Sequence, residues 1–249
     1  MERMNAKAQL EYKAQELKKS NQALKDFISL AAHDLRGPAG KITLFNERLA
    51  EKVDHLESEF KDYLMLMQKS ALKMQELIED LRVFSQTAIQ VELSKKINLE
   101  KVFKEIISDL GLLPPKNDGQ ILVDPFPTIE GNLEQMWLLF QNLLSNAIKF
   151  HDPDKLQEIK IYSRPCGQDN WEVSVEDPGI GFDEKYKDRI FRPFEKLHGI
   201  SAFKETGMGL AICQKISENH GGFIKAESQP RESSCFTLVL PTTHCEVDK

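Results

Sequence analysis

Residues 10–38 read LEYKAQELKKSNQALKDFISLAAHDLRGP. Leu10, Ala14, Leu17, Asn21, Leu24, Ile28, Ala31 and Leu35 recur at alternating steps of four and three, the a/d seam of a coiled coil. That spacing predicts a parallel helical dimer. Asn21 falls at an a position, where a buried amide pairs only with its counterpart and fixes register at some cost in stability. Phe27 and Leu30 then widen the apolar face, as happens when a helix enters a bundle. Pro38 removes a backbone donor and bends the helix, yet apolar spacing resumes at Ile42, Phe45 and Leu49, so one kinked helix is expected. The pattern breaks around residues 54–58. It returns with Phe60, Leu64, Met67, Ala71, Met74, Ile78 and Leu81, which predicts a second helix and a four-helix dimer. The methionine-rich stretch 64–67 reads as core, because methionines at helical spacing usually pack inward.

The chain around this stretch has 249 residues, 41% of them apolar, enough for two packed domains. Its 33 basic and 39 acidic side chains give a net charge of -6 with no basic stripe, so nucleic acid is not an expected partner. Cys166, Cys213, Cys235 and Cys245 lack the short paired spacing of a zinc site, and no signal peptide precedes them; they read as reduced thiols of a cytoplasmic protein. No apolar run approaches the roughly 20 residues a membrane span needs.

Beyond Ser85 the character changes. Residues 95–110 look helical, Pro114 and Pro115 end that pattern, and 121–123 begin a strand. Residues 133–150 read as a helix, 158–163 and 171–176 as strands, 207–220 as a helix and 223–240 as two closing strands. The order predicts an α+β sandwich beginning near Leu93.

Several residue groups in this frame suggest chemistry. Counting along the heptad puts His33 at an f position on the outer face of the dimer, with Asp34 beside it; alone, an exposed histidine is an ordinary surface residue. Asn142 and Asn146 lie four apart on one helical face with Lys149 three further on, so amide oxygens and a cation project together. Such a face suits magnesium phosphate, since magnesium takes hard oxygen ligands and leaves sites for substrate; a capping or surface pair is the alternative. Asp177 begins Asp-Pro-Gly-Ile-Gly after an alternating strand, where Gly179 and Gly181 let backbone approach a flat ligand and Asp177 can accept from an adenine amino group. By itself this is turn chemistry. Thr206, Gly207, Met208, Gly209 and Leu210 open the next helix and offer unpaired amides to phosphate oxygens. The charged stretch 182–205 between them, with Phe191, Arg192, Pro193 and Phe194, has the length of a mobile lid.

In this order, from about residue 22 to 241, these elements resemble the histidine kinase family of two-component signalling. Residues 27–38 resemble its phosphoacceptor box, 142–150 its asparagine box, 177–181 its first glycine box, 191–194 its phenylalanine box and 206–210 its second glycine box. Gyrase- and chaperone-type ATPases share the nucleotide boxes, and the histidine-bearing dimerisation helix separates kinases from them. Residues 194–198 and 207–212 are similar to the kinase modules of phytochromes and related PAS-containing sensors.

The resemblance implies an α-helical hairpin, a four-helix bundle in the dimer, followed by a two-layer α+β sandwich of the Bergerat type. Residues 1–26 would be a coiled-coil signalling helix, 27–90 the dimerisation and histidine phosphotransfer domain, 93–243 the catalytic ATP-binding domain and 244–249 a tail. It implies ATP and Mg2+ as cofactors, with Asn146 holding the metal, Asn142, Phe150, Gly179, Gly181 and Phe194 lining the nucleotide site, and Asp177 selecting adenine. Lys149 with Lys196 or Lys204 would steady the triphosphate together with residues 206–210. His33 would attack the γ-phosphorus while Asp34 orients the imidazole and takes its proton. The sequence departs from the family at Gly37, where kinases that also dephosphorylate their partner carry Thr or Asn, at Pro178, where a polar residue is common, and at Glu205, where glycine usually opens the second glycine box. The implied partners are a second copy of the chain and a response regulator receiver domain acting in trans, and the sequence leaves open whether a sensor domain precedes Met1. Two other readings use the same residues: a scaffold that no longer transfers phosphate, and a stand-alone ATPase.

Overall fold

The structure, a computed structural model, describes residues 13, 28, 32–33, 35–49, 58–87, 95–111, 120–123, 126–156, 158–167, 169–197 and 206–242. The expected seam through Asn21, and Asp34, Lys204, Glu205 and the 244–249 tail, lie outside the described residues. The chain divides into two compact units, residues 1–88 and 89–249.

The first unit is a helical hairpin. Residues 35–49 form one helix, α1, running unbroken through Pro38, with residues 28, 32 and 33 also helical. The second helix, α2, spans Ser58–Thr87. Contacts between them run in opposite directions: Arg36 bonds Glu79, Gly40 lies beside Gln75, and Asn46 Nδ2 donates to the Leu64 carbonyl at 2.6 Å. Arg82 also donates to Glu79 at 2.5 Å and, with Arg36, holds the Glu79 carboxyl below its usual range.

Each helix carries two stripes of heptad spacing. Ala32, Ala39 and Asn46 on α1 and Ala71 and Ile78 on α2 are buried within the hairpin. Leu35, Ile42 and Leu49, and Phe60, Met67 and Met74, stay exposed. The predicted seam on α1 is thus the exposed stripe, and the interior one was missed because alanine and asparagine give little apolar signal. Within the single hairpin Met65, Leu66 and Met67 are all at least half exposed.

The second unit is a two-layer sandwich. Strands β2 (Gln120–Val123), β4 (Glu158–Cys166), β5 (Asn170–Asp177), β7 (Ser233–Pro241) and β6 (Phe223–Gln229) lie in the order β2-β4-β5-β7-β6, parallel only between β2 and β4. Ile159, Ile161, Val173, Val175, Phe236 and Leu238 are buried from this sheet, and helices α3 (Leu99–Asp109), α4 (Leu133–Lys149) and α5 (Gly209–Asn219) pack further apolar residues into the core. Phe103 of α3 meets Phe140 of α4 with ring centroids 4.4 Å apart.

Residues 95–110 are not one helix. Lys95–Asn98 is a strand, β1, paired antiparallel with an unforeseen strand, β3 (Thr128–Gly131). Asn98 makes the switch: its backbone is extended and its side chain accepts from the Lys101 N–H, capping α3. Asn132 caps α4 in the same way through Gln135. No helix among the described residues is long and apolar enough to cross a membrane.

Candidate nucleotide site

Helix α4 is the spine of the site. Its buried face, Met136, Leu139, Phe140, Leu143, Leu144 and Ala147, fixes the helix against the core and leaves Asn142 and Asn146 half-buried toward its C-terminal end, with Lys149 exposed. The Asn142 amide donates to the Leu138 carbonyl at 3.0 Å, which aims its oxygen outward from the helix. That oxygen faces α5: a Cβ on Gly209 would sit 2.9 Å from it. Only glycine lets the first turn of α5 come this close to the amide.

The start of α5 is open. Met208 precedes it with no side-chain cap, and no acidic residue lies in its first turn. Met208 N–H reaches Thr206 Oγ1 at 3.3 Å, a local bond that leaves the helical amides beyond it without a side-chain acceptor. Unsatisfied amides at a helix start, with the positive end of its dipole, are suited to phosphate oxygens. Gly207 has φ of 80°, and a Cβ there would meet the Phe194 and Glu195 backbone at 2.8 Å. Phe194 N–H donates to the Gly207 carbonyl at 3.0 Å, so the phenylalanine box and second glycine box touch. Phe194 itself is exposed with φ of 64°, a left-handed conformation that costs a phenylalanine energy.

The turn after β5 closes on the C-terminal end of α4. Ile180 N–H donates to the Phe150 carbonyl at 2.9 Å, and a Cβ on Gly179 would overlap that carbonyl at 2.3 Å. Asp177 is only 4% exposed and accepts from Gly179 N–H at 3.0 Å. Burial pushes its carboxyl up to about 7, opposed by the Gly179 bond and by Lys155, and assisted by Glu176. Asp177 is thus a buried acceptor with lone pairs to spare, held beside Gly179.

Asn142 thus meets Gly209, Phe194 meets Gly207, and Phe150 and Asp177 meet Gly179. Met208 is buried and packs the helix start, while Thr206 and Leu210 are half-buried beside it. Gly181 has φ of 59° and lies against the Gln229 carbonyl, so it serves the turn. Lys196 is exposed, and no contact ties it to this group. His33 is exposed on its helix in the other unit. Among the described residues no three His, Cys, Asp or Glu side chains group to hold a metal ion.

Sequence reasoning missed the brace behind the Asp177 turn. Lys155 donates to the Arg231 and Glu232 carbonyls at 2.6 and 2.8 Å, Arg231 N–H donates to Ile180, and Phe182 N–H donates to Ser228 Oγ at 2.9 Å. The β6–β7 turn thus grips the Asp177 turn from about 50 to 80 residues away, a relation no local pattern encodes.

Comparison with known proteins gives two family matches. Residues 23–88 match the His Kinase A (phospho-acceptor) domain, and residues 131–244 match the histidine kinase-, DNA gyrase B- and HSP90-like ATPase. Cyanobacterial phytochrome A of Nostoc sp. is 34% identical over 229 residues, which cover 92% of this chain and 30% of that protein. The phytochrome-like protein Cph1 of Synechocystis sp. is similar to the same extent, and the methanogenesis regulatory histidine kinase FilI of Methanothrix harundinacea is 29% identical over 96% of this chain and 27% of its own length. The chain spans less than a third of the length of these curated relatives. Among solved structures, the catalytic domain of histidine kinase ThkA superposes with a TM-score of 0.51 at 27% identity, covering 60% of this chain and 98% of that one. Full-length ShkA in complex with AMPPNP superposes with a TM-score of 0.65 at 20% identity, covering 88% and 46%, a likeness of fold.

Proposed function

This chain belongs to the histidine kinases, and from that premise we propose that it is an ATP-dependent protein-histidine kinase of a two-component system that phosphorylates its own His33. The observation that carries the reading is the convergence, on the C-terminal half of α4, of the Asn142 amide, the buried Asp177 turn and the open start of α5. In this reading residues 27–90 dimerise and carry the phosphoryl group, residues 93–243 bind ATP, and residues 1–26 relay a signal from a sensor region.

Asp177 in its ionised form accepts from the adenine amino group, so nucleotide affinity rises as pH climbs through about 7. The α5 amides take phosphate oxygens, aided by Lys149 and by Lys196 or Lys204. The amide oxygen of Asn146 suits Mg2+, which when bound would offset phosphate charge. One ring nitrogen of His33 attacks the γ-phosphorus; the bond from that phosphorus to the β,γ-bridging oxygen breaks, ADP leaves, and Asp34 takes the proton from the other nitrogen. The phosphoryl group then passes to an aspartate of a response regulator receiver domain.

A second copy of the chain completes the unit. The exposed stripes Leu35, Ile42, Leu49 and Phe60, Met67, Met74 support pairing of two hairpins into a four-helix bundle. Gly37 supports a kinase without strong phosphatase activity, and the cytoplasm is the compartment that fits. Incubation with γ-labelled ATP and magnesium tests the reading. Acid-labile, alkali-stable label on the parent and none on His33→Gln is the expected outcome; label that survives in the variant, or a parent that hydrolyses ATP without label, would refute it.

A further inference from the structure

His220 follows α5 at its far end from the nucleotide site, and its ring is 1% exposed. Its Nε2 lies 3.0 Å from the backbone N of Asn132, the residue that caps α4, and its Nδ1 lies 2.8 Å from the Ile216 carbonyl oxygen. A backbone N–H can only donate, so Nε2 must be the bare, accepting nitrogen. Nδ1 then carries the proton and donates to Ile216. The ring is a neutral bridge from the last turn of α5 to the first residue ahead of α4. Gly131 keeps room for it, since a Cβ there would stand 2.9 Å from the ring.

The bridge is one rung of three. Cys213 Sγ donates to the Leu139 carbonyl at 3.6 Å midway along the pair, and Asn142 Oδ1 faces Gly209 at the nucleotide end. The two helices are antiparallel, with residues 132, 139 and 142 of one matched to 220, 213 and 209 of the other. Sliding α5 along α4 would break the His220 rung and move the phosphate-facing amides away from the Asn142 and Asn146 amides by the same amount, because each helix is rigid over the roughly 15 Å between the ends.

We propose that His220 is a positioning residue for nucleotide binding: it fixes the axial register of α5 on α4, and so the distance between the phosphate-binding amides and the Asn146 amide. This rests on the kinase reading above. It commits to a ground-state effect, since a shifted register weakens phosphate contacts before and during transfer alike.

Two variants separate this role from general stability. Asn at 220 keeps a donor for Ile216 and cannot reach Asn132; Gln places an amide oxygen where Nε2 sits. With the whole chain and the magnesium complex of ADP as probe, calorimetry well below the melting temperature should give a dissociation constant about tenfold higher for His220→Asn and within threefold of the parent for His220→Gln. The apparent KM for ATP should follow the same order, with kcat changed less than threefold. Nitrogen NMR of the parent ring should report the Nδ1–H tautomer. Equal affinities for both variants and the parent would overturn the proposal and leave His220 as packing alone, as would an Nε2–H tautomer. A parent that binds no nucleotide would overturn the kinase reading together with it.

Discussion

Helices α3 and α4 begin on asparagines whose side chains accept from the third residue on, and each has a glutamate in its first turn. Helix α5, packed against α4 in the same sandwich, begins on Met208 with neither. The two kinds of start have different work: a sealed start stabilises the fold, and an open one offers donors and a positive dipole end to an anion. Stability and binding are therefore divided between neighbouring elements, and variants can shift that division.

The largest expected effect is at Asp177. Asp177→Asn removes an acceptor for adenine and should lower ATP affinity more than a hundredfold. It should also raise stability, with a definite pH signature. The folded carboxyl titrates near 7 against 3.8 for an exposed aspartate, so ionising it costs folding energy. The cost is absent below about pH 4, grows to pH 7 and is constant above, with a ceiling of about 4 kcal/mol. The melting-temperature gap between variant and parent should widen over that interval; a gap independent of pH would mean the carboxyl is not buried as described.

Gly209→Ala comes next. The added Cβ displaces the Asn142 amide, which as the end of a side chain can yield, so the fold should persist while Mg-ATP affinity falls at least tenfold in a titration. Retained affinity would show that α5 can sit further from α4 without consequence. Asn98→Ala should do the reverse: about 1 kcal/mol lost in denaturant unfolding of the 89–249 unit, with nucleotide affinity unchanged. Smallest is Arg231→Gly, which relieves the left-handed φ of 62° while keeping the backbone bonds that brace the Asp177 turn. A gain of roughly 0.5–1 kcal/mol is expected, and a loss would point to a contact of the arginine side chain.

What the sequence revealed followed from signal of two kinds. Apolar periodicity marked α4 within one residue, and alternation marked β4 and β5. The glycines at 179, 207 and 209 stood out in the sequence for approach to a ligand and for helix-start amides; what the structure gives each is a neighbouring protein atom that a Cβ would strike, a reason the sequence did not show. The hidden parts have small or distant determinants. Strand β1 is four residues ending in the cap of α3, too short for a period to register. The interior stripe of the hairpin is built from Ala32, Ala39 and Asn46, residues with little hydropathy of their own. Lys155 and His220 bond across 76 and 88 residues, and neither belongs to any local pattern.

The two stripes of the hairpin also set how its stability depends on concentration. The small side chains are spent inside one chain, and the large ones, Leu35, Ile42, Leu49, Phe60, Met67 and Met74, face outward. Where the proposed pairing of two hairpins buries them, mass action enters the stability of the hairpin. On dilution the residues 1–88 should melt earlier while residues 89–249, whose core is closed within one chain, hold their melting temperature. Under the proposed pairing, two parts of a single polypeptide obey different laws, one unimolecular and one bimolecular, and the abundance of the protein becomes a variable in the folding of the unit that carries His33.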